Sequence, residues 1–180
     1  MTQVLVIVDI QRDYFPGGAH PLVGPDAAAD TASTLLDRWR RAGLPVVHVQ
    51  HESREEGAGM LVPGTPGGEI DPRVAPSAGE PVVRKTHPNS FLETTLKERL
   101  DEAEASALVV IGMMSSMCVD ATVRAASDLG YRVTVAADAC AAPDLEHGGV
   151  RVGGAEVHAA FMAALASAYA RVVPAASLPN

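Results

Sequence analysis

Val109 to Leu129 reads VVIGMMSSMCVDATVRAASDL. An apolar, β-branched run breaks at Gly112, crosses a short loop and resumes at helical spacing through Val119, Val123 and Ala126 until Gly130 ends it. Strand, loop and helix in that order form half of the unit that builds parallel sheets. The same stretch sets Cys118 near a helix N-terminus, where the macrodipole and unpaired N–H groups lower a thiol's pKa and favour the thiolate. A buried structural cysteine is the commoner fate of a lone thiol in a soluble chain. Taken alone, the stretch fits both readings equally.

The flanking sequence repeats the alternation. Val4 to Val8 is a continuous aliphatic run, as expected of a strand buried on both faces, and Asp9 stands at its C-terminal end, where packing gives no reason for an acid. Gln11 to Pro25 is punctuated by Pro and Gly and reads as a loop. Ala32, Leu35, Leu36 and Trp39 then mark a helix closed by Gly43. Pro45 to Gln50 is a second strand. Ser53 to Glu80 carries six glycines and four prolines without periodicity, which predicts a functional loop over the sheet's edge, a lid or a subunit contact. Pro81 to Lys85 is a third strand, followed by a helix starting near Ser90 or Phe91 with Leu92, Leu96 and Leu100 on one face. Ala107 to Gly112 is the fourth strand and Arg132 to Ala137 the fifth. Cys140 is expected in a loop with Pro143, Gly148 and Gly149, and the last helix turns Val157, Phe161, Leu165 and Ala168 inward before a sixth strand at Arg171 to Val173. Six short strands alternating with helices predict an α/β fold, a doubly wound three-layer α/β/α sandwich. Its ligands bind beyond the carboxyl ends of the strands.

Composition narrows the function classes. At 180 residues and 47% hydrophobic content, one core and a single domain spanning 1–180 are expected. The net charge of −8, with no basic cluster, gives no electrostatic footprint for nucleic acid or an anionic membrane. Every apolar run is too short for a transmembrane helix, so no membrane partner is expected and a small-molecule substrate is. Two cysteines, Cys118 and Cys140, make no disulfide framework, and without a leader pattern the expected compartment is the cytoplasm. No G-x-G-x-x-G follows a strand, which counts against a dinucleotide cofactor.

Three polar residues occupy equivalent positions at the ligand end of the sheet: Asp9 after the first strand, Lys85 after the third and Cys118 past the fourth. Each alone could cap a turn, sit in solvent or pack. Together they are chemically complementary, because a thiol needs a base, a carboxylate can serve as one, and a cation between them holds charge and geometry.

On these residues the chain resembles the isochorismatase-like cysteine hydrolases, a family that includes nicotinamidases, N-carbamoylsarcosine amidohydrolase and streptothricin hydrolase. VLVIVDIQRDYF resembles the family's strand and D-x-Q-x-D-F segment, VVRKTHPNSF its K-x-x-x-S-x-F segment, and GMMSSMCVDATVRAASDLGY its G-x-x-T-x-x-C-V-x-x-T segment, with Ser115 in the threonine's place. The resemblance implies a mainly parallel six-stranded sheet of order 3-2-1-4-5-6 and catalytic roles for Asp9, Lys85 and Cys118. It further implies a cis peptide between Met113 and Met114, an oxyanion hole from the Met114 and Cys118 N–H groups, and a substrate pocket using Gln11, Asp13, Tyr14, His51, Asn89, Phe91, Ser115 and Met117. A homodimer or homotetramer is the family's usual assembly. With that order, Lys85 stands two strands from Asp9, a gap of about 10 Å that a long side chain must bridge.

Departures from the family pattern shape the expectation. Nicotinamidases carry a metal site of one aspartate and two histidines after strand two, whereas this chain offers His48, His51 and Glu52. Positions i and i+3 of a strand face opposite ways, so no metal is expected on His48 and His51 together. True isochorismatases, which cleave a vinyl ether, generally lack the cysteine. Cys118 therefore directs the expectation to a cofactor-free amidohydrolase, closest in phrase to streptothricin hydrolase, acting through a thioester. A vinyl-ether hydrolase and a catalytically silent binding or assembly module are the alternatives, the module separated by whether Cys118 is reactive.

Overall fold

The computed structural model describes residues 2–178. Strand β1 (Thr2–Val8) lies at the centre of a six-stranded sheet, because its aliphatic side chains are buried on both faces. It pairs on one side with β2 (Val46–His51), which pairs with β3 (Val82–Lys85). On the other side stand β4 (Ala105–Met113), β5 (Arg132–Ala141) and an edge strand (Arg171–Val173), and every pairing in this sheet is parallel. Between β5 and that edge strand the chain forms a separate antiparallel hairpin of β6 (Leu145–His147) and β7 (Val150–Val152), which makes the edge strand β8. The order β3-β2-β1-β4-β5-β8 is therefore the predicted 3-2-1-4-5-6 order, its sixth member numbered eight by the intervening hairpin.

Period-two alternation divides the core into two layers. Leu5, Ile7, Val109 and Ile111 face α1 (Pro25–Arg41), where they meet Leu35, Leu36 and Trp39. Val4, Val6, Leu108 and Val110 face α2 (Leu96–Glu102), α3 (Cys118–Asp128) and α4 (Gly154–Ala168) through Leu96, Val119, Val123 and Leu165. Among the described residues, no helix is long and apolar enough to cross a membrane.

Four sequence expectations are corrected. The helix after β3 begins at Leu96 and not near Ser90, because Asn89 Oδ1 accepts the Phe91 N–H at 2.9 Å and the Ser90 N–H is spent on Thr122 Oγ1 at 3.1 Å; Leu92 is left exposed. Cys140 is not in a loop: β5 continues past a register shift and pairs Cys140 with Gly112. In α4, Ala168 faces solvent and Phe161 is only half-buried, while Met162 takes the core position. The β6–β7 hairpin, unforeseen, turns on Gly148 and Gly149, both at positive φ (+59° and +78°), a conformation glycine adopts freely and a two-residue hairpin turn requires.

Gly112 shows why the sheet's carboxyl end has its shape. Its φ is +134°, and a Cβ placed there would lie 1.9 Å from the Val8 carbonyl oxygen, in the strand that delivers Asp9. Gly112→Ala is expected to cost on the order of 3 kcal/mol or more, from strain plus a forced separation of β1 and β4. A lowered urea midpoint at unchanged m-value checks this; a midpoint equal to that of the parent contradicts it.

Candidate active site

The ends of β1, β3 and β4 converge on one buried cluster. Asp9, directly after β1, adopts a left-handed backbone (φ +51°), which aspartate tolerates better than most residues. Lys85 is the last residue of β3, in register with His51 at the end of β2. Its side chain crosses the end of β2, so that Nζ stands 2.7 Å from Asp9 Oδ2 and closes the expected two-strand gap. Cys118 is the first residue of α3, and its Sγ lies 3.2 Å from the same Nζ. Asp9 and Lys85 are 0% and 2% exposed and Cys118 3%, so all three charges or potential charges are withdrawn from water.

The Lys85 ammonium has more neighbours than protons. Besides Asp9 and Cys118 it reaches His51 Nδ1 and the His87 carbonyl, each at 3.0 Å, yet it can donate three hydrogen bonds only. Asp9 Oδ2 meets the ammonium as a buried ion pair, and Asp9 Oδ1 has no hydrogen-bond partner among the described residues. Burial alone would lower the Lys85 pKa, but the Asp9 carboxylate first, and then the neighbouring Cys118, outweigh it and the net shift is upward. His51 is shifted down, by burial first and then by the Lys85 charge, which leaves a neutral imidazole to accept from the ammonium.

The thiol departs from the helix-terminus expectation. Burial first, and then the Asp9 charge, push the Cys118 pKa up to about 12, against a smaller downward pull from Lys85. Burial and the Asp9 charge thus favour the thiol over the thiolate. Alkylation by iodoacetamide should show a pH midpoint above the free-cysteine value of about 8.5. Asp9→Asn, which removes the opposing charge and leaves Lys85, should move that midpoint downward. A parent midpoint below the free-cysteine value, or no movement on substitution, contradicts this electrostatic picture.

Above the cluster opens a cavity of about 400 Å³. Cys118 lies at its base, and Met60, Leu61, Met114, Met117, Pro143 and Leu145 contribute apolar wall. Of the residues expected in a pocket, Tyr14, His51 and Met117 line this cavity. The others lie outside its lining and hold the surroundings. Gln11 donates from Nε2 to the His51 and Gly68 carbonyls and accepts the His51 N–H, pinning β2 to the long loop. Asp13 accepts the Leu61 N–H at 2.6 Å and the Ala19 N–H at 3.1 Å. Asn89 caps a turn, Phe91 stacks on Tyr131, and Ser115 Oγ lies 3.1 Å from His158 Nδ1. The Met113–Met114 peptide bond is cis.

Met60, Leu61, Pro143 and Leu145 belong to the wall without having been anticipated. The first pair sits on the 53–80 loop, which packs down through a buried Leu61 and Val74 and an Asp71 N–H to Ile10 carbonyl bond of 2.8 Å. Leu145 sits on the β6–β7 hairpin, and the Gly148–Gly149 turn was the readable signal for it.

The residues after β2 do not fit a nicotinamidase-type metal site. His48 is buried against Glu80 (2.8 Å), whose carboxyl is held down to about 2, chiefly by its bonds to Arg40. His51 instead turns Nδ1 to Lys85. One candidate metal-binding cluster occurs among the described residues: Asp9, His51 and Cys118, with ligand atoms within 4.8 Å of one another. The Lys85 ammonium makes a close contact with an atom of each of the three, at 2.7, 3.0 and 3.2 Å.

The chain is similar to known proteins in both sequence and fold. The isochorismatase domain model matches residues 3–177. The Bacillus subtilis isochorismatase family protein YddQ, itself uncharacterised, is 46% identical over 172 residues, 96% of each chain. A streptothricin hydrolase of Streptomyces noursei is 40% identical over 143 residues, 79% of this chain and 51% of that protein. A crystal structure from Oleispira antarctica, described as an isochorismatase hydrolase, superposes with a TM-score of 0.94 at 50% identity, covering 97% of this chain and 94% of that one.

Proposed function

This chain belongs to the isochorismatase family, and from that premise we propose that it is a cysteine-dependent hydrolase of a small amide or related C–N bond, acting through a thioester on Cys118. The observation that carries the reading is the meeting of Asp9, Lys85 and Cys118 in one buried cluster at the base of a cavity. Three groups from three separated segments, all withdrawn from water, exceed what packing needs.

Asp9 takes the thiol proton as Cys118 Sγ bonds to the amide carbon, and the carbonyl electron pair moves onto oxygen. A thiol with a raised pKa is suited to this timing, because the proton leaves only as the new bond forms. The oxyanion is assigned to the N–H groups of Met114 and Cys118, the latter in the first helical turn, where N–H groups lack intrahelical acceptors. Collapse restores the carbonyl and breaks the C–N bond, and the Asp9 carboxyl gives its proton to the departing amine. Water then attacks the thioester, Asp9 takes the water's proton, and Sγ leaves and is reprotonated with release of the acid. Lys85 keeps its positive charge throughout and faces whichever of Asp9 and Sγ is negative.

A panel of amides, lactams and carbamoyl compounds assayed for released ammonia or amine tests the proposal, with Cys118→Ala as the blank. Turnover by the parent and none by the blank supports it. Release at the same rate from both rejects it.

A further inference from the structure

Resting on the hydrolase reading, we propose that the substrates of this chain are amides whose acyl body is uncharged and apolar, one ring or a short branched chain, and that it discriminates against amides bearing a carboxylate or an ammonium on that body. The inference follows from what lines the space above Cys118. At about 400 Å³, the cavity lies toward the small end of ligand sites, which span roughly 300–1,000 Å³. Among the described residues, no Asp, Glu, Lys or Arg lines it, although the chain as a whole carries 36 such residues, 14 basic and 22 acidic.

Asp9 and Lys85, which Cys118 adjoins, are buried and answer each other at 2.7 Å. A charged substituent entering the cavity would give up its hydration and meet no carboxylate, ammonium or guanidinium on the lining; the imidazoles there are those of His20 and His51, and His51 is shifted toward its neutral form by burial and the Lys85 charge. An apolar ring would exchange water for Leu61, Leu145 and three methionines, Met60, Met114 and Met117. Methionine's unbranched, polarizable side chain repacks around different shapes, so breadth among neutral acyl groups should accompany the exclusion of charge. Leu145 is 40% exposed on the β6–β7 hairpin while still lining the cavity, so it stands where a substituent on the acyl body would meet the protein's edge.

The test compares amides matched in size: 4-acetylbenzamide, which is neutral, against 4-carboxybenzamide and 4-(aminomethyl)benzamide, with benzamide and cyclohexanecarboxamide as smaller neutral members. The expected kcat/KM for the neutral matched amide exceeds that of either charged one by about 100-fold or more. Leu145→Lys should narrow the gap for 4-carboxybenzamide while leaving 4-(aminomethyl)benzamide disfavoured. A charged amide hydrolysed as well as its neutral partner overturns the inference. Calorimetric binding of the same compounds to Cys118→Ala separates this inference from the hydrolase reading. If the parent turns over none of them, the reaction assigned here fails for these amides and binding decides the pocket: tighter binding of the neutral compounds supports the inference, while equal binding, or none, overturns it.

Discussion

Cys118→Ala is expected to lower turnover of any substrate found for this protein by about 10⁴-fold or more, the scale seen when a covalent nucleophile is deleted from an otherwise intact site. Stability should change little. The side chain is small, and Cys118→Ala removes one sulfur from the edge of a core layer that Val119, Val123 and Ala126 hold in place independently. Circular dichroism and a thermal midpoint near the parent's, together with lost turnover, would separate a chemical role from a structural one.

Asp9→Asn should be costly in both respects. Asparagine tolerates the left-handed backbone at this position, so the substitution tests charge and not conformation. It leaves the Lys85 ammonium 2% exposed with its counter-charge gone. Breaking a buried ion pair from one side costs about 3–5 kcal/mol, which for a chain of this size lowers the melting temperature by roughly 6–20 °C. Loss of the proton acceptor should reduce turnover by a further 10²–10⁴-fold, the range for general base catalysis. Lys85→Met should show a comparable loss of stability, since it strands the Asp9 carboxylate. The Asp9→Asn, Lys85→Met pair should recover much of that stability while remaining inactive, because no unpaired charge is left in the interior. A double variant as unstable as the two single losses added together would mean that the two residues act separately.

Much of this arrangement was legible in the residues. Val4 to Val8 and Val109 to Ile111 announce central parallel strands by being aliphatic on both faces, and an acid immediately after such a run, at Asp9, has no packing explanation. The helical faces of α1 and α3 follow from Leu35, Leu36 and Trp39 and from Val119, Val123 and Ala126 in the same way. Other features are decided by contacts between distant segments. The helix after β3 starts at Leu96, six residues past the Ser90 that the spacing suggests, because Thr122 of α3 captures the Ser90 N–H. β5 runs on to Ala141 because it pairs with β4 again past the register shift, Cys140 with Gly112 and Ala141 with Met113. Gln11 and Asp13 sit in a motif that resembles pocket positions, yet their hydrogen bonds are spent on Gly68, His51, Leu61 and Ala19. The thiol's pKa could not be read from its place at a helix start, since burial and the Asp9 charge outweigh that position.

The central claim is that a thioester forms on Cys118. Hydroxylamine added during turnover intercepts such an intermediate and converts it to a hydroxamic acid. The account predicts hydroxamate in proportion to hydroxylamine concentration from the parent protein and none from Cys118→Ala. Carboxylic acid as the sole acyl product at every hydroxylamine concentration, or equal hydroxamate from both proteins, would contradict it.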